Sequence, residues 1–177
     1  MLGFTGFMRD WHGLERVVEL LARHSEKVIH FLVVGDGPAR KGLEKTARSL
    51  GVESSLTITG LVDRDHIIDF ICAYDIALQP DVVSYASPLK IFEYLALGHA
   101  IVAPDSENIR EILGDKVNAL LFNTEVNGSF NDSIECLADN DNLRLSLGTA
   151  AKDLITEKGY TWIENAKKVE RLMCSNK

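Results

Sequence analysis

Six short apolar runs, each followed by an amphipathic stretch, recur along this chain and restrict it to one kind of architecture. The runs are LGFTGF (2–7), VIHFLVVG (28–35), LTITG (56–60), IALQP (76–80), AIVAP (100–104) and ALLF (119–122). They are continuous rather than alternating, the pattern of strands covered on both faces. Between them, apolar residues recur at helical spacing. Leu14, Val17, Val18 and Leu21 mark one buried face; Leu43, Ala47 and Leu50 mark another over 38–50; Ile67, Ile68, Ile71 and Cys72 mark 64–73. Further helices are predicted at 87–97, 106–113, 126–139, 142–157 and 161–173. Strand–helix alternation of this kind predicts an α/β fold, a Rossmann-like doubly wound parallel sheet of about six strands.

Composition removes several function classes. The 177 residues suit one domain. No apolar run approaches the length of a membrane span, and MLGFTGFMRDW lacks the basic start and long apolar core of a secretion signal. Acidic residues outnumber basic ones by 26 to 19, giving a net charge of −7. Bulk nucleic-acid binding by charge is therefore not expected, although a local basic pocket for one phosphate group remains compatible. The three cysteines are odd in number and contain no CxxC. Cys72 and Cys136 fall inside apolar helical patterns and read as small hydrophobes. A reducing, cytoplasmic compartment follows, with no disulfide framework. No two of the five histidines pair at ligand spacing, so no metal site is expected. The chain begins almost inside a strand, which suggests a domain of a longer protein, or a chain whose other half is a separate polypeptide.

In open α/β sheets, ligands bind beyond the carboxyl ends of the strands, so the strand-to-helix loops hold the candidate chemistry. The first loop, Gly6 to Gly13, carries Arg9 and His12 and leads into a helix. Gly13 would let an anion approach free backbone N–H groups, and Arg9 and His12 would add positive charge. A plain connecting loop with a packed Trp11 is the competing reading. The second loop, Val34-Gly35-Asp36-Gly37-Pro38, resembles a dinucleotide fingerprint but has Arg40 at the third glycine position. A tight turn with Pro38 in the first helical turn fits better, with Gly35 still able to line a cleft. The third region runs from Asp81 to Gly98. Ser87 reads as an N-cap and Pro88 as the first helical residue, which would leave the Leu89 and Lys90 N–H groups pointing outward beside the Lys90 ammonium, a ready diphosphate site. Glu93 has Leu89, Ala96 and Leu97 as its helical neighbours. An acid on so apolar a face signals a specific hydrogen-bonding role, or else a minor pair with Lys90 one turn earlier.

SPLKIFEYLALGHAIVAPDSENIREIL resembles the signature region of the group 1, or family 4, nucleotide-sugar-dependent glycosyltransferases. GFMRDWHGLERVVELLA, FLVVGDGPARKGLEKTA, LTITGLVDRDHIIDFICAYDIALQP and NALLFN fall in that family's order and spacing, and YTWIENAKKVERLM resembles its closing helix. The resemblance spans nearly the whole chain but only the C-terminal half of such an enzyme. It implies one half of a GT-B architecture: residues 1–177 as a nucleotide-sugar (donor) binding domain, with a final helix at about 161–173. The N-terminal, acceptor-binding domain would lie elsewhere in the same enzyme or in a partner chain. Glu93 then matches the second glutamate of the E-x7-E motif, which binds the donor ribose. Pro88, Leu89 and Lys90 match the pyrophosphate-binding helix start, Gly6 to Gly13 the glycine-rich phosphate loop, and Gly60-Leu61-Val62 the nucleobase segment.

Three departures stand out. Tyr85 replaces the motif's first acid, which usually touches the donor sugar. Phe7 stands where an Arg is usual, and His12 where a Lys is usual; Arg9 is placed to substitute. These features resemble an SPLK-type subgroup or mark weakened activity. The resemblance implies a retaining, metal-independent transfer from a UDP-, GDP- or ADP-sugar to a glycan, lipid or small molecule. No cofactor beyond the donor is implied. Arg9 and Lys90 would act as electrostatic stabilisers of the departing diphosphate, and the parent protein could touch a membrane peripherally. The isolated chain is expected to be inactive. A degenerate, non-catalytic GT-B module and a GT-B sugar-nucleotide epimerase domain are the alternatives. A nicotinamide-binding domain built on GDGPAR is disfavoured by Arg40.

Overall fold

The structure is a computed structural model that describes residues 1–175. Its strands are β1 (Leu2–Thr5), β2 (Phe31–Val34), β3 (Leu56–Ile58), β4 (Ile76–Leu78), β5 (Ala100–Pro104) and β6 (Leu120–Phe122). They form one six-stranded sheet in the order β3-β2-β1-β4-β5-β6. Every neighbouring pair is parallel, as the continuous apolar runs predicted. Each strand is shorter than its apolar run. Val28 is fully exposed, because the second run enters the sheet only at Phe31.

The helices are α1 (Glu15–Arg23), α2 (Arg40–Ser49), α3 (Ile67–Ile71), α4 (Lys90–Leu97), α5 (Glu107–Arg110), α6 (Ser129–Ala138), α7 (Asp141–Lys158) and α8 (Trp162–Ser175). The pleat sends alternate strand residues to opposite faces. Phe4, Phe31, Val33, Leu78, Val102 and Phe122 meet α1, α2 and α6 on one face. Leu32, Val34, Ala77, Ile101 and Ala103 meet α3, α4, α5 and α7 on the other. The result is a three-layer Rossmann-like domain with both sheet faces covered.

Close packing fixes α4 against α7. A Cβ at Gly148 would lie 2.2 Å from the Gly98 carbonyl oxygen, so the helices approach backbone to backbone there. Two sets of expectations fail at this level, buried positions and helix lengths. Leu50 and Ile68, read as parts of buried helix faces, are exposed. Cys72 and Cys136 are exposed, as is Cys174, because the buried faces of α3 and α6 are supplied by Ile71 and by Phe130, Ile134 and Leu137. The other concerns α3 and α5, which are much shorter than the periodic stretches 64–73 and 106–113 and are completed by turns.

Candidate functional site

Because the strands are parallel, all their carboxyl ends lie on one edge, and the four loops singled out in the sequence meet there. Residues Thr5 to Phe7, Val34 to Asp36, Leu61, Val62 and Ile67 line a cavity of about 160 Å³. A Cβ at Gly35 would lie 2.1 Å from the Gly6 carbonyl oxygen, and one at Gly37 would lie 2.2 Å from that of Met8. These two glycines let the second loop close on the first, and both adopt the positive φ that favours glycine. On the other side, the position of a Gly13 Cβ is 3.5 Å from the Cβ of Asp81, so the first loop also touches the segment after β4.

Two phenols outside the sheet set where β1 ends. The Tyr94 hydroxyl, on α4, accepts a hydrogen bond from the Thr5 N–H at 2.8 Å. The Tyr74 hydroxyl shares a 2.9 Å bond with Thr5 Oγ1 and donates to the Phe4 carbonyl at 3.2 Å. Tyr94 thereby docks α4 on the tip of β1 and brings Lys90, one turn earlier, against the first loop. Burial raises both phenol pKa values, so both stay protonated.

Lys90 is the centre of the arrangement. Its ammonium nitrogen lies 3.8 Å from the centroid of the Phe4 ring and 3.5 Å from His12 Nε2. A Cβ on Gly6 would lie 3.3 Å from Lys90 Cε. Burial pulls the Lys90 pKa down to about 7, partly offset by the Glu93 carboxylate. His12 is buried between Trp11 and Phe4, with ring centroids 3.9 Å and 4.9 Å away. Burial and then the Lys90 charge hold its pKa at about 3. His12 is therefore neutral and adds no charge of its own, unlike the sequence expectation. Arg9 is exposed, its guanidinium 4.9 Å from the centre of the exposed Phe7 ring. Gly13 (φ 62°) closes a turn of 3-10 helix over Asp10–His12, and its N–H bonds to the Asp10 carbonyl. At the start of α1 the Leu14 and Glu15 N–H groups are unpaired among the described residues.

At the start of α4 the sequence reading needs two corrections. Ser87 is exposed and caps nothing; the helix begins at Lys90, with Leu89 in the cap position and Pro88 accepting the Ile91 N–H at 3.0 Å. The tether for this loop comes instead from α5, where the Asn108 side chain donates to the Val83 and Ala86 carbonyls. The Leu89 and Lys90 N–H groups do remain unpaired among the described residues. Glu93 does not sit on a buried apolar face either. The packed side of α4 is Ile91, Tyr94 and Leu95, so Leu89, Glu93 and Ala96 face outward. Glu93 makes no hydrogen bond or ion pair among the described residues, which removes the pairing with Lys90 as its structural role. Partial burial raises its pKa, countered by Lys90 and Arg64.

Residues 1–140 match the family of group 1 glycosyl transferases. The chain belongs to that family. It is 26% identical over 174 residues to an uncharacterised glycosyltransferase of Methanocaldococcus jannaschii, covering 97% of this chain and 44% of the relative. It is likewise 26% identical to the alpha-D-kanosaminyltransferase of Streptomyces kanamyceticus, covering 88% of this chain and 40% of that one. The chain thus spans less than half the length of these relatives.

The fold is that of solved glycosyltransferases. Anabaena HepE, solved in complex with UDP, superposes with a TM-score of 0.84 at 18% identity over 98% of this chain and 48% of its own. The C-terminal domain of the group 1 family protein LpcC from Francisella tularensis superposes at 0.77 with 22% identity, covering 89% of this chain and 84% of that domain. Tyr85 is 89% exposed. Leu61 is exposed at the cavity mouth, whereas Val62 packs into the core. Neither Asn108 nor the Tyr74–Thr5–Tyr94 group carried a sequence signal, since each acts only through contacts between distant segments.

Proposed function

We propose that this chain is the donor-binding half of a retaining, metal-independent glycosyltransferase that takes a nucleotide-diphosphate sugar. The observation that carries the reading is the convergence of two helix starts on one edge. The unpaired N–H groups of α1 and α4, the Lys90 side chain and the exposed Arg9 surround the same end of β1. Helix starts bind anions through free N–H groups and the helix dipole. A departing diphosphate would be neutralised by Arg9 and Lys90, as acyl and phosphoryl oxyanions are by fixed donors elsewhere. Glu93, outward-facing and without a protein partner, would accept from the ribose hydroxyls. The cavity beside Leu61 and Val62 would receive the base. The structural neighbours solved with UDP or UDP-glucose support a sugar-nucleotide donor.

Titration of UDP, GDP and ADP against wild type, Glu93→Gln and Lys90→Ala tests this. One nucleotide should bind, both variants should weaken it, and the Lys90→Ala loss should shrink as salt rises, because a phosphate contact is screened. Binding of none of the three overturns the reading. A non-catalytic module is the second reading, favoured by Tyr85 and Phe7; it predicts nucleotide binding without sugar transfer even when the acceptor-binding half is supplied.

A further inference from the structure

Within that donor site, His12 and Lys90 are placed so that their hydrogens compete. The Arg9 N–H donates to His12 Nδ1 at 3.1 Å, so the neutral imidazole carries its proton on Nε2. That nitrogen faces Lys90 Nζ at 3.5 Å. An ammonium there would set donor against donor, whereas an amine accepts the Nε2–H. Among the described residues no carboxylate or carbonyl lies within hydrogen-bond reach of Nζ. The Gly6 backbone closes one side and the Phe4 ring another, so little water reaches Nζ, although the ring face itself attracts an ammonium.

We infer that His12 is a positioning residue that holds Lys90 as an uncharged amine in the empty site, and that an incoming diphosphate is bound together with one proton. The inference rests on the donor-site reading above. The proton comes from solvent and is taken by the Nζ lone pair. The Nε2–H···Nζ contact opens, and the new ammonium hydrogen turns to a phosphate oxygen. No covalent bond to carbon or phosphorus changes in this step.

Desolvation favours the amine, and the one charge among the described residues that acts against it is Glu93. Arg9 stands on the same loop as His12. Glu93 on α4 attracts a proton to Lys90, and Arg64, before α3, acts on Glu93 in turn. Asp36 after β2 is paired with Arg40 at 3.1 Å, and the Asp81 carboxylate after β4 accepts the Val82 N–H at 2.7 Å. Tyr74 and Tyr94 are bonded to the end of β1. A Lys90 pKa near 7 fits the amine in the empty site. The added dianion favours the charged form and raises that value on binding.

Calorimetric titration of UDP into this chain, above the phosphate's own second ionisation near pH 6, reads the proton directly. At pH 8, enthalpies in buffers of different ionisation heat should give close to one proton taken up per UDP, and the dissociation constant should rise close to tenfold from pH 8 to pH 9. Lys90→Arg, permanently charged, should abolish both effects. His12→Ala should admit water to Nζ and reduce the uptake at pH 8, whereas His12→Gln should restore it by accepting from Arg9 and donating to Nζ. A merely structural His12 predicts a less stable His12→Ala with the wild-type proton count, which overturns the positioning role. UDP binding without buffer dependence and with a flat pH profile overturns the inference while leaving the donor site standing. Should Lys90→Arg fail to fold, the wild-type buffer comparison decides alone. If UDP, GDP and ADP all fail to bind, the donor-site reading falls and this inference with it.

Discussion

The Tyr94 hydroxyl ends β1 from outside the sheet by accepting the Thr5 N–H. Tyr94→Phe keeps the ring but leaves that buried N–H without a partner, at a cost of about 1–3 kcal/mol. The midpoint of chemical unfolding should fall accordingly, and nucleotide affinity should fall with it, because α4 carries Lys90. Glu93 is exposed, so Glu93→Gln should leave the unfolding midpoint unchanged while weakening nucleotide binding at least about tenfold, charge-assisted bonds contributing roughly 1.5–3 kcal/mol each. Unchanged affinity would remove Glu93 from the site. His12 gives a pH signature. Its folded pKa of about 3 lies below the ordinary 6.5, so the unfolded chain binds the extra proton. Its contribution is therefore complete above pH 6.5 and is lost as pH falls toward 3. His12→Gln should lose less stability than wild type between pH 6.5 and 4 in thermal melts.

At the scale of elements, the contact between α4 and α7 decides how rigidly the site is held. At Gly148 there is no room for a methyl group against the Gly98 carbonyl. Gly148→Ala would raise helix propensity in isolation, yet here it must push α7 off α4. We expect a net loss of about 1–3 kcal/mol, read as a lower melting temperature by differential scanning calorimetry. An Ala variant as stable as wild type would mean that the two helices can slide apart freely. The loop before α4 depends instead on Asn108, whose side chain bridges two of its carbonyls. This element-to-element tether replaces the serine cap that local sequence suggested.

At the scale of the whole molecule, α8 carries a row of exposed apolar side chains. Trp162, Ile163, Ala166, Val169, Leu172 and Met173 are all exposed along it. No helix among the described residues is long and apolar enough to cross a membrane. We propose that the other half of the enzyme covers this stripe. Ile163→Lys and Leu172→Gln should then leave this chain's unfolding midpoint within about 0.5 kcal/mol of wild type but weaken association with that half in a pull-down. Catalysis needs both reactants held in one geometry, so this chain alone should bind nucleotide weakly and transfer no sugar. Turnover by the isolated chain at the rate of full-length relatives would contradict that view.

The sheet was legible in the sequence because a parallel strand buried on both faces must be apolar throughout, and six such runs stand out between amphipathic stretches. The edge where the loops meet followed from the same fact, since parallel strands share one carboxyl end. Periodicity showed the inward face of α1, where Leu14, Val17, Val18 and Leu21 are buried, but it does not single out that face where apolar residues lie on more than one side of a helix. Glu93 has apolar neighbours in sequence, but α4 is rotated so that Ile91, Tyr94 and Leu95 take the core and Glu93 faces out. Cys72 and Cys136 were misplaced for the same reason. The state of Lys90 was likewise undetermined by its motif: a lysine at a helix start is ordinarily solvated, and only the approach of Phe4, Gly6 and His12 from 78 or more residues away strips its water. Desolvation depends on what packs in three dimensions, and so the charge at the centre of the site was decided by the tertiary structure alone.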